Sequence, residues 1–316
     1  MIVRYARTYG GWVFPALLLI GGIFLVADLI ATQKRASRAK TMDLPAIRAA
    51  MRNITPLHEP KSPTQPGDWL ESHTEKGQTF DEYLTSRPNR PTASRTTIYL
   101  QPLGEFDEEQ SRLLDDTEAM LGLFFATPVK RLDAIGMDVI PDHARRTHPS
   151  WDVKQILTSY VLDLLRKQRP RDAVAVIALT SSDLWPGEGW NFVFGEASLT
   201  DRVGVWSLAR VGDPKENYPL SLRRTLKTAV HETGHMLGIQ HCIAHQCGMN
   251  GSNNLEESDR TPLWFCPACE AKVWWACEIS DRAGRYEKLG DFTRNRKLTE
   301  VADFWDKSRA ALESPR

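Results

Sequence analysis

The 316-residue sequence has no excess of charge of either sign, because 40 lysines and arginines balance 40 aspartates and glutamates. Proteins that bind nucleic acid draw much of their affinity from basic side chains that neutralise phosphates. A neutral chain without a basic stripe therefore argues against a nucleic-acid partner. The apolar content of 41% is also too high for a disordered chain.

Cysteine is scarce, and its few copies are confined to one part of the chain. The five cysteines lie between Cys242 and Cys277, and their number is odd. A disulfide framework spreads its cysteines over the loops that it joins. The clustering argues against such a framework and indicates a metal site.

A long uncharged run lies near the amino terminus, at residues 8–27 between Arg7 and Asp28. As a helix, these 20 residues would rise about 30 Å, which matches the hydrocarbon core of a bilayer. A cleaved signal peptide is disfavoured because large residues occupy the positions where small residues mark a cleavage site. A buried core helix is disfavoured because the run is apolar on every face. We therefore predict an uncleaved, single-pass membrane anchor within residues 1–33.

The next segment, residues 34–93, is rich in proline and is interpreted as a linker or amino-terminal extension. Seven prolines lie between residues 41 and 92, which favours an extended chain over long helices. Apolar side chains such as Trp69 and Phe80 could still dock this linker onto a core. Four basic residues at positions 34–40 outnumber Arg4 and Arg7 before the anchor. The positive-inside rule therefore predicts that the carboxyl-terminal side faces the cytoplasm.

The remaining residues, 94–316, are numerous enough for one sizeable core. Strand-like runs occupy residues 96–101, 173–179, 191–194 and 203–210, and helical patterns occupy 107–124, 151–168 and 220–237. The run at 173–179 is continuously apolar, which is typical of a strand buried on both faces. This alternation, followed by a loop-rich part, predicts an α+β or mixed α/β domain.

The last predicted helix carries the sequence HETGHMLGIQH, which begins at residue 231. His231 and His235 are four residues apart, so both project from one face of the helix and can hold one zinc ion. Glu232 is placed to act as general base on a zinc-bound water. Gly238 permits a sharp turn that brings His241 back as a third ligand and leaves a fourth position open. Unrelated histidines are a poor alternative, since the chain has only 8 histidines.

Four of the cysteines form a second potential metal site: Cys242, Cys247, Cys266 and Cys269. Four thiolates suit tetrahedral zinc with no open position, which is typical of a structural site. Buried free thiols are the alternative, and a redox role is disfavoured because no thioredoxin-like pattern precedes the Cys-x-x-Cys pair. Cys277 stands apart and is interpreted as a small apolar core residue. The two groups together predict two zinc ions per chain.

These motifs resemble the archaemetzincin family of zinc metallopeptidases, a family of the metzincin clan. The resemblance rests on the pattern HExxHxxGxxHC, on Cys247-Gly-Met249 and on Cys266-Pro-Ala-Cys269. Flanking segments within residues 183–207 and 249–259 also resemble the family, and the similarity extends over residues 67–316. The resemblance implies a metzincin-like fold.

The resemblance also implies a role for each residue of the motifs. His231, His235 and His241 match the catalytic zinc ligands, and Glu232 matches the base. Met249 matches the methionine of the Met-turn, an apolar floor beneath the histidines. The four clustered cysteines match a second, structural zinc site.

The leading hypothesis is a membrane-anchored zinc metallopeptidase that hydrolyses peptide bonds in a peptide or protein substrate. Its catalytic domain, residues 94–316, would lie on the cytoplasmic side of the membrane, and the strand at 203–210 would pair with an extended substrate. The alternative is a catalytically silent, zinc-stabilised binding module on a membrane. In such a module we expect Glu232 or a zinc histidine to be lost, and neither is lost.

Overall fold

The computed structural model describes residues 43–314. These residues form two β-sheets, of five and three strands, together with the helices given below. The strands are β1 (Thr97–Leu103), β2 (Val129–Arg131), β3 (Arg145–Thr147), β4 (Lys154–Leu157), β5 (Ala173–Thr180), β6 (Asp183–Trp185), β7 (Gly195–Ala197) and β8 (Val203–Ser207). The larger sheet has the order β2-β1-β5-β8-β7, and all its neighbours are parallel except β7 and β8. The smaller sheet has the order β3-β4-β6.

Helices surround the larger sheet and form the carboxyl-terminal part. They are α1 (Leu44–Ile54), α2 (Trp69–Ser72), α3 (Phe80–Thr85), α4 (Glu108–Phe125), α5 (Thr158–Gln168), α6 (Tyr218–Met236), α7 (Leu255–Arg260), α8 (Pro267–Ala276), α9 (Arg282–Arg294) and α10 (Thr299–Glu313). Short 3-10 turns lie at Thr55–Leu57, Met137–Val139 and Asp142–Ala144. The prediction of a mixed α/β domain is confirmed.

The centre of the larger sheet is fully buried. Every residue of β5 is buried, as its continuous apolar run predicts. On one face, Val161 and Leu165 of α5 share an apolar cluster with Val176 and Val205 of the sheet. The helix α6 packs against β7 and β8, and α4 packs against α6. The sheet therefore provides a rigid support for α6.

The carboxyl-terminal part has a core of large aromatic side chains. α9 and α10 pack against each other, and Phe265, Trp274 and Trp305 are fully buried there. Burial of three such side chains is a large apolar contribution to the stability of this part. It fixes the start of α8, where Cys266 is the N-cap residue and Cys269 lies in the first turn.

Part of the segment predicted as an extended linker is folded onto this core. α1 packs against α8 and α10, and Ile47, Ile54 and Tyr83 are buried. Pro45 does not prevent α1 because it lies in the first helical turn, where its missing N–H group is not needed. The expectation of an extended chain is therefore wrong for this part, whereas the division at residues 33 and 93 stays a prediction.

Two other predicted elements begin later than expected. The helix predicted at 151–168 begins only at Thr158, because Lys154–Leu157 forms β4 and pairs with both β3 and β6. The strand predicted at 191–194 is replaced by β7, which begins four residues later, at Gly195. The remaining predicted strands and helices lie within three residues of the observed ends.

The predicted anchor at residues 8–27 lies outside the described residues. Over residues 43–314, no helix is both long and apolar enough to cross a bilayer. The anchor and the orientation drawn from it therefore stay predictions.

Candidate active site

The helix α6 carries three residues of the zinc motif in its last two turns. His231 and His235 lie one turn apart, with Glu232 between them, and the helix ends at Met236. Gly238 follows with a φ of +81°, a left-handed conformation that favours glycine. The chain reverses there and brings His241 beside the two helical histidines.

The three imidazole rings converge on one point. One ligand nitrogen from each histidine lies within 4.8 Å of the other two, and the Nε2 atoms of His231 and His235 are 3.0 Å apart. Their Nδ1 atoms each lie 2.8 Å from a backbone carbonyl oxygen, that of Gly248 for His231 and that of Ile239 for His235. Because a carbonyl oxygen only accepts, each Nδ1 carries the proton and Nε2 is left free for a metal.

His231 and His235 are also in the neutral state that metal binding requires. Burial, followed by the neighbouring histidines, lowers the pKa of His231, and it lowers the pKa of His235 to about 3. Both imidazoles are therefore neutral at pH 7. Three imidazole nitrogens that face one another form a donor set that zinc prefers in catalytic sites.

The third histidine is tied to a carboxylate from the amino-terminal segment. His241 Nδ1 lies 2.6 Å from Oε1 of Glu75, and Trp69 Nε1 donates to the same oxygen at 2.9 Å. Burial alone would raise the pKa of Glu75, but the hydrogen bonds from His241 and Trp69 outweigh it, and this pKa is lowered. Glu75 is therefore ionised at neutral pH.

Glu232 is buried between α6 and the edge of the sheet, with 5% of its surface exposed. A Cβ atom at Gly195 of β7 would lie only 2.7 Å from Glu232 Oε1, so glycine leaves the room that this carboxyl group needs. Burial, with a smaller effect of Glu196, raises the pKa of Glu232 to about 8. A cation beside Glu232 would favour its ionised form.

Met249 lies under the turn of α6 that carries the histidines. A Cβ atom at Gly234 would lie 2.6 Å from the Sδ of Met249, which is fully buried. The carbonyl group of Met249 accepts a hydrogen bond from the backbone of Cys242 at 2.8 Å. The methionine is therefore fixed from two sides, by the helix at Gly234 and by the backbone of Cys242.

The structure also brings together the four cysteines that the sequence groups. Their buried Sγ atoms lie within 4.8 Å of one another, and Cys277 is not part of the group. The Sγ of Cys247 accepts hydrogen bonds from the backbone N–H groups of Met249 and Cys266, at 3.4 and 3.1 Å. Such donors stabilise thiolate ligands, and the arrangement fits a tetrahedral zinc ion.

The three histidines open onto a cleft of about 690 Å³. Trp69 and Trp190 line one side, and the residues of β7 line another. Lys227 lies at the polar end, where its Nζ donates to the carbonyl oxygen of Ser258 and to Thr261 Oγ1. Burial chiefly lowers the pKa of Lys227 to about 7. The cleft therefore combines aromatic walls with a polar end.

The strand beside this cleft is β7 and not β8. We predicted that residues 203–210 would pair with a substrate, but β8 is already hydrogen-bonded to β5 on one side and to β7 on the other. β7 ends the sheet, and its residues line the cleft. The prediction is therefore wrong, because local pattern does not show which strand lies at the edge of a sheet.

Four residues of this site were not identified from the sequence: Trp69, Glu75, Glu196 and Lys227. Lys227 lies four residues before His231, so helical spacing alone places it on the same face. Trp69 belongs to a segment that resembles the family, but no local spacing relates Glu75 or Glu196 to the motif. Only the folded chain brings these two carboxyl groups to the site.

Comparison with known proteins supports the same assignment. Residues 141–274 match the model of Peptidase family M54. Archaemetzincin-2 of Homo sapiens is 34% identical over 268 residues, which cover 73% of this chain and 73% of the relative. Archaemetzincin-2 of Rattus norvegicus is 33% identical over 251 residues, which cover 69% of this chain and 70% of the relative.

A solved structure is also similar. The archaemetzincin of Methanopyrus kandleri is 31% identical, covers 58% of this chain and 97% of its own, and has a TM-score of 0.49. The curated relatives confirm the resemblance found in the sequence and the prediction of a zinc-dependent hydrolase of peptide bonds. The chain belongs to the archaemetzincin family of zinc metallopeptidases.

Proposed function

We propose that this chain hydrolyses peptide bonds with a catalytic zinc held by His231, His235 and His241 and with Glu232 as general base. The observation that supports the proposal most is the convergence of the three rings with their ligand nitrogens within 4.8 Å. A zinc ion with three protein ligands keeps a position open for reactants, which is the pattern of catalytic rather than structural sites.

The chemistry divides between the metal and the chain. Zinc at such a site supplies Lewis acidity, which polarises a carbonyl group and lowers the pKa of water. The Glu232 carboxylate accepts the proton of the attacking water and then donates it to the nitrogen of the leaving amine. Its burial at 5% exposure keeps competing water away from this proton transfer.

We further propose that the free edge of β7 binds the substrate backbone. An extended peptide can add to an exposed sheet edge through main-chain hydrogen bonds. The residues of β7 line the cleft next to Glu232, and the aromatic side chains of Trp69 and Trp190 supply apolar surface nearby. Such pairing would hold a peptide bond beside the histidines without requiring a particular side chain.

The four clustered cysteines are proposed to hold a second zinc with a structural role, which gives two zinc ions per chain. Four sulfur ligands close the coordination sphere. The proposed site joins Cys242, in the loop after His241, to the start of α8, where Cys266 is the N-cap residue and Cys269 lies in the first turn. It would therefore stabilise the loop that supplies the third catalytic ligand.

The Glu232→Ala variant tests the catalytic proposal. It should lose cleavage of any peptide that the wild type cleaves, by about 100-fold or more, and should keep its zinc, because a base is not a ligand. His235→Ala should lose both activity and the catalytic zinc, which elemental analysis measures.

Wild-type activity in Glu232→Ala would contradict the mechanism. A wild type that cleaves no member of a peptide library, although loaded with zinc, would instead favour the silent binding module.

A further inference from the structure

The third histidine is held differently from the other two. The rings of His231 and His235 are oriented by backbone carbonyl groups of nearby segments. His241 lies beyond the turn at Gly238, outside any helix, and its Nδ1 faces a side-chain carboxylate 166 positions away in the sequence. The orientation of this ring therefore depends on the amino-terminal segment.

The carboxylate of Glu75 is itself held in place. Its Oε1 is 2.6 Å from His241 Nδ1 and accepts from Trp69 Nε1 at 2.9 Å. The Trp69 ring lies edge-on to the imidazole of His241, with 5.3 Å between the ring centroids. One oxygen atom thus links the indole and the third imidazole in a fixed geometry.

The segment around Glu75 is docked on both sides of the contact. The backbone N–H of Trp69 donates to both oxygens of Glu257, at 3.0 and 3.1 Å. On the other side, the Gln78 side chain donates to the carbonyl group of Gly238 and accepts from the backbone of Gln240, both at 3.3 Å. The segment therefore contacts the turn that carries His241 at more than one point.

The environment of the second carboxylate oxygen of Glu75 points to a bound metal ion. Glu75 Oε2 is buried and has no hydrogen-bond partner among the described residues. A buried carboxylate oxygen without a donor is costly to the folded state. A cation held by the three histidines would compensate this charge, so the arrangement is more favourable with the metal than without it.

We propose that Glu75 is a positioning residue that orients His241 for zinc and stabilises the bound ion through its negative charge. The inference rests on the proposed catalytic zinc site and adds a residue outside the 231–241 motif. Carboxylates that accept from the second nitrogen of a ligand histidine fix its tautomer and make it a more basic ligand. In this protein that carboxylate comes from the segment before the sheet.

The test measures zinc retention by the full-length protein. Wild type, Glu75→Ala and Glu75→Gln are dialysed against a series of chelator concentrations, and zinc is counted above the amount in His235→Ala. Glu75→Ala should bind this zinc about 10- to 100-fold more weakly than the wild type. Glu75→Gln should be intermediate, because the amide oxygen still accepts from His241 but carries no charge.

A spectroscopic measurement separates orientation from general damage. The proton on His241 Nδ1 should give a strongly downfield NMR resonance in the wild type, and a smaller downfield shift in Glu75→Gln. The matched control is Glu71→Ala, which removes an exposed carboxylate of the same segment whose one hydrogen bond is to Gly67. This control should keep wild-type zinc retention.

Three outcomes would overturn the inference: zinc retention in Glu75→Ala within twofold of the wild type, an equal loss in Glu71→Ala, or an unchanged His241 resonance in Glu75→Gln. Failure of the proposed function looks different. In that case the wild type itself would hold no more zinc than His235→Ala.

Discussion

Gly195 is in contact with the proposed general base although it has no side chain. A methyl group there would lie 2.7 Å from Oε1 and 2.9 Å from the Cγ and Cδ atoms of Glu232. The flexible carboxyl end of Glu232 can move away, so the fold should survive. The carboxyl group of Glu232 should, however, be displaced from its position. A displacement of about 1 Å can lower a reaction rate by about 100-fold.

We therefore expect Gly195→Ala to lower kcat by roughly 10- to 100-fold while zinc content stays at the wild-type value. Steady-state kinetics with one peptide substrate, together with elemental analysis, checks this. Gly122→Ala is the matched control, because a Cβ atom there meets its nearest neighbour at 3.7 Å, an ordinary contact. Equal rates in Gly195→Ala and the control would show that Glu232 is not displaced.

The lowered pKa of buried Lys227 should make the stability of the protein depend on pH. Burial, and then the charges of Arg223 and Arg224, lowers its folded-state pKa to about 7, whereas the pKa of a lysine in an unfolded chain is about 10.4. Between these values the unfolded chain binds the additional proton. The free energy of unfolding should therefore rise with pH from about 7 to about 10, by at most ~1.4 kcal/mol per pH unit from this group.

The measurement is the difference in unfolding free energy between wild type and Lys227→Met at several pH values. The variant should lack the contribution of Lys227, so that the difference between the two proteins changes over this range and is constant below it. Parallel curves from pH 6 to 10 would show that the pKa of Lys227 is not lowered in the folded protein.

The residues of the site differ in how well the sequence predicts them. The histidines and Glu232 follow from spacing, because residues four apart share one face of a helix. The four cysteines follow from clustering in the sequence. Glu75 cannot be predicted in this way, since a contact across 166 positions leaves no periodic pattern in the sequence. Glu196 cannot be predicted either, because only the position of β7 in the sheet brings it near Glu232.

Among the helices and strands, the sequence predicts the long helix α6 and the buried strand β5 well. The spacing of apolar residues follows a single pattern over the whole length of each. The segment at 154–157 has apolar spacing that suits a helix. It forms the strand β4 instead, because β3 and β6 supply hydrogen bonds on its two sides. The prediction that residues 203–210 form the strand beside the cleft is wrong for a related reason. Which strand ends a sheet depends on pairing between distant segments.

The proposed cysteine site joins the loop after His241 to the start of α8. Replacing Cys266 and Cys269 together by serine should reduce the zinc content from two ions per chain to one or fewer. Stability should fall strongly, because binding energy at a structural zinc site is folding energy. Elemental analysis and thermal unfolding measure the two effects.

Cys277→Ser is the control for this experiment, since Cys277 lies outside the cluster. It should keep both zinc ions. A wild type with a single zinc that survives replacement of Cys266 and Cys269 would show that the four cysteines are buried free thiols.

For the whole molecule, we propose a membrane-anchored peptidase whose catalytic domain lies on the cytoplasmic side. Residues 8–27 have the length of a membrane span, and four basic residues follow at 34–40. Four thiolate ligands are also retained more readily in a reducing compartment. Full-length protein should therefore resist carbonate extraction from membranes, and deletion of residues 1–40 should release it.

Protease protection in sealed vesicles checks the orientation. The catalytic domain should be cleaved only from the cytoplasmic face. Cleavage only from the opposite face would reverse the proposed orientation, and a mature amino terminus near residues 28–32 would remove the anchor.

The contact between Glu75 and His241 has a consequence for the order of events during synthesis. Glu75 is translated early, and Cys269, the last member of the cysteine cluster, follows 194 residues later. At about 5–20 residues per second, this interval lasts roughly 10–40 s. Throughout it the growing chain lacks a complete set of metal ligands and their supports. The proposed peptidase site, with the cysteine cluster that supports it, can therefore be complete only after Cys269 has been synthesised.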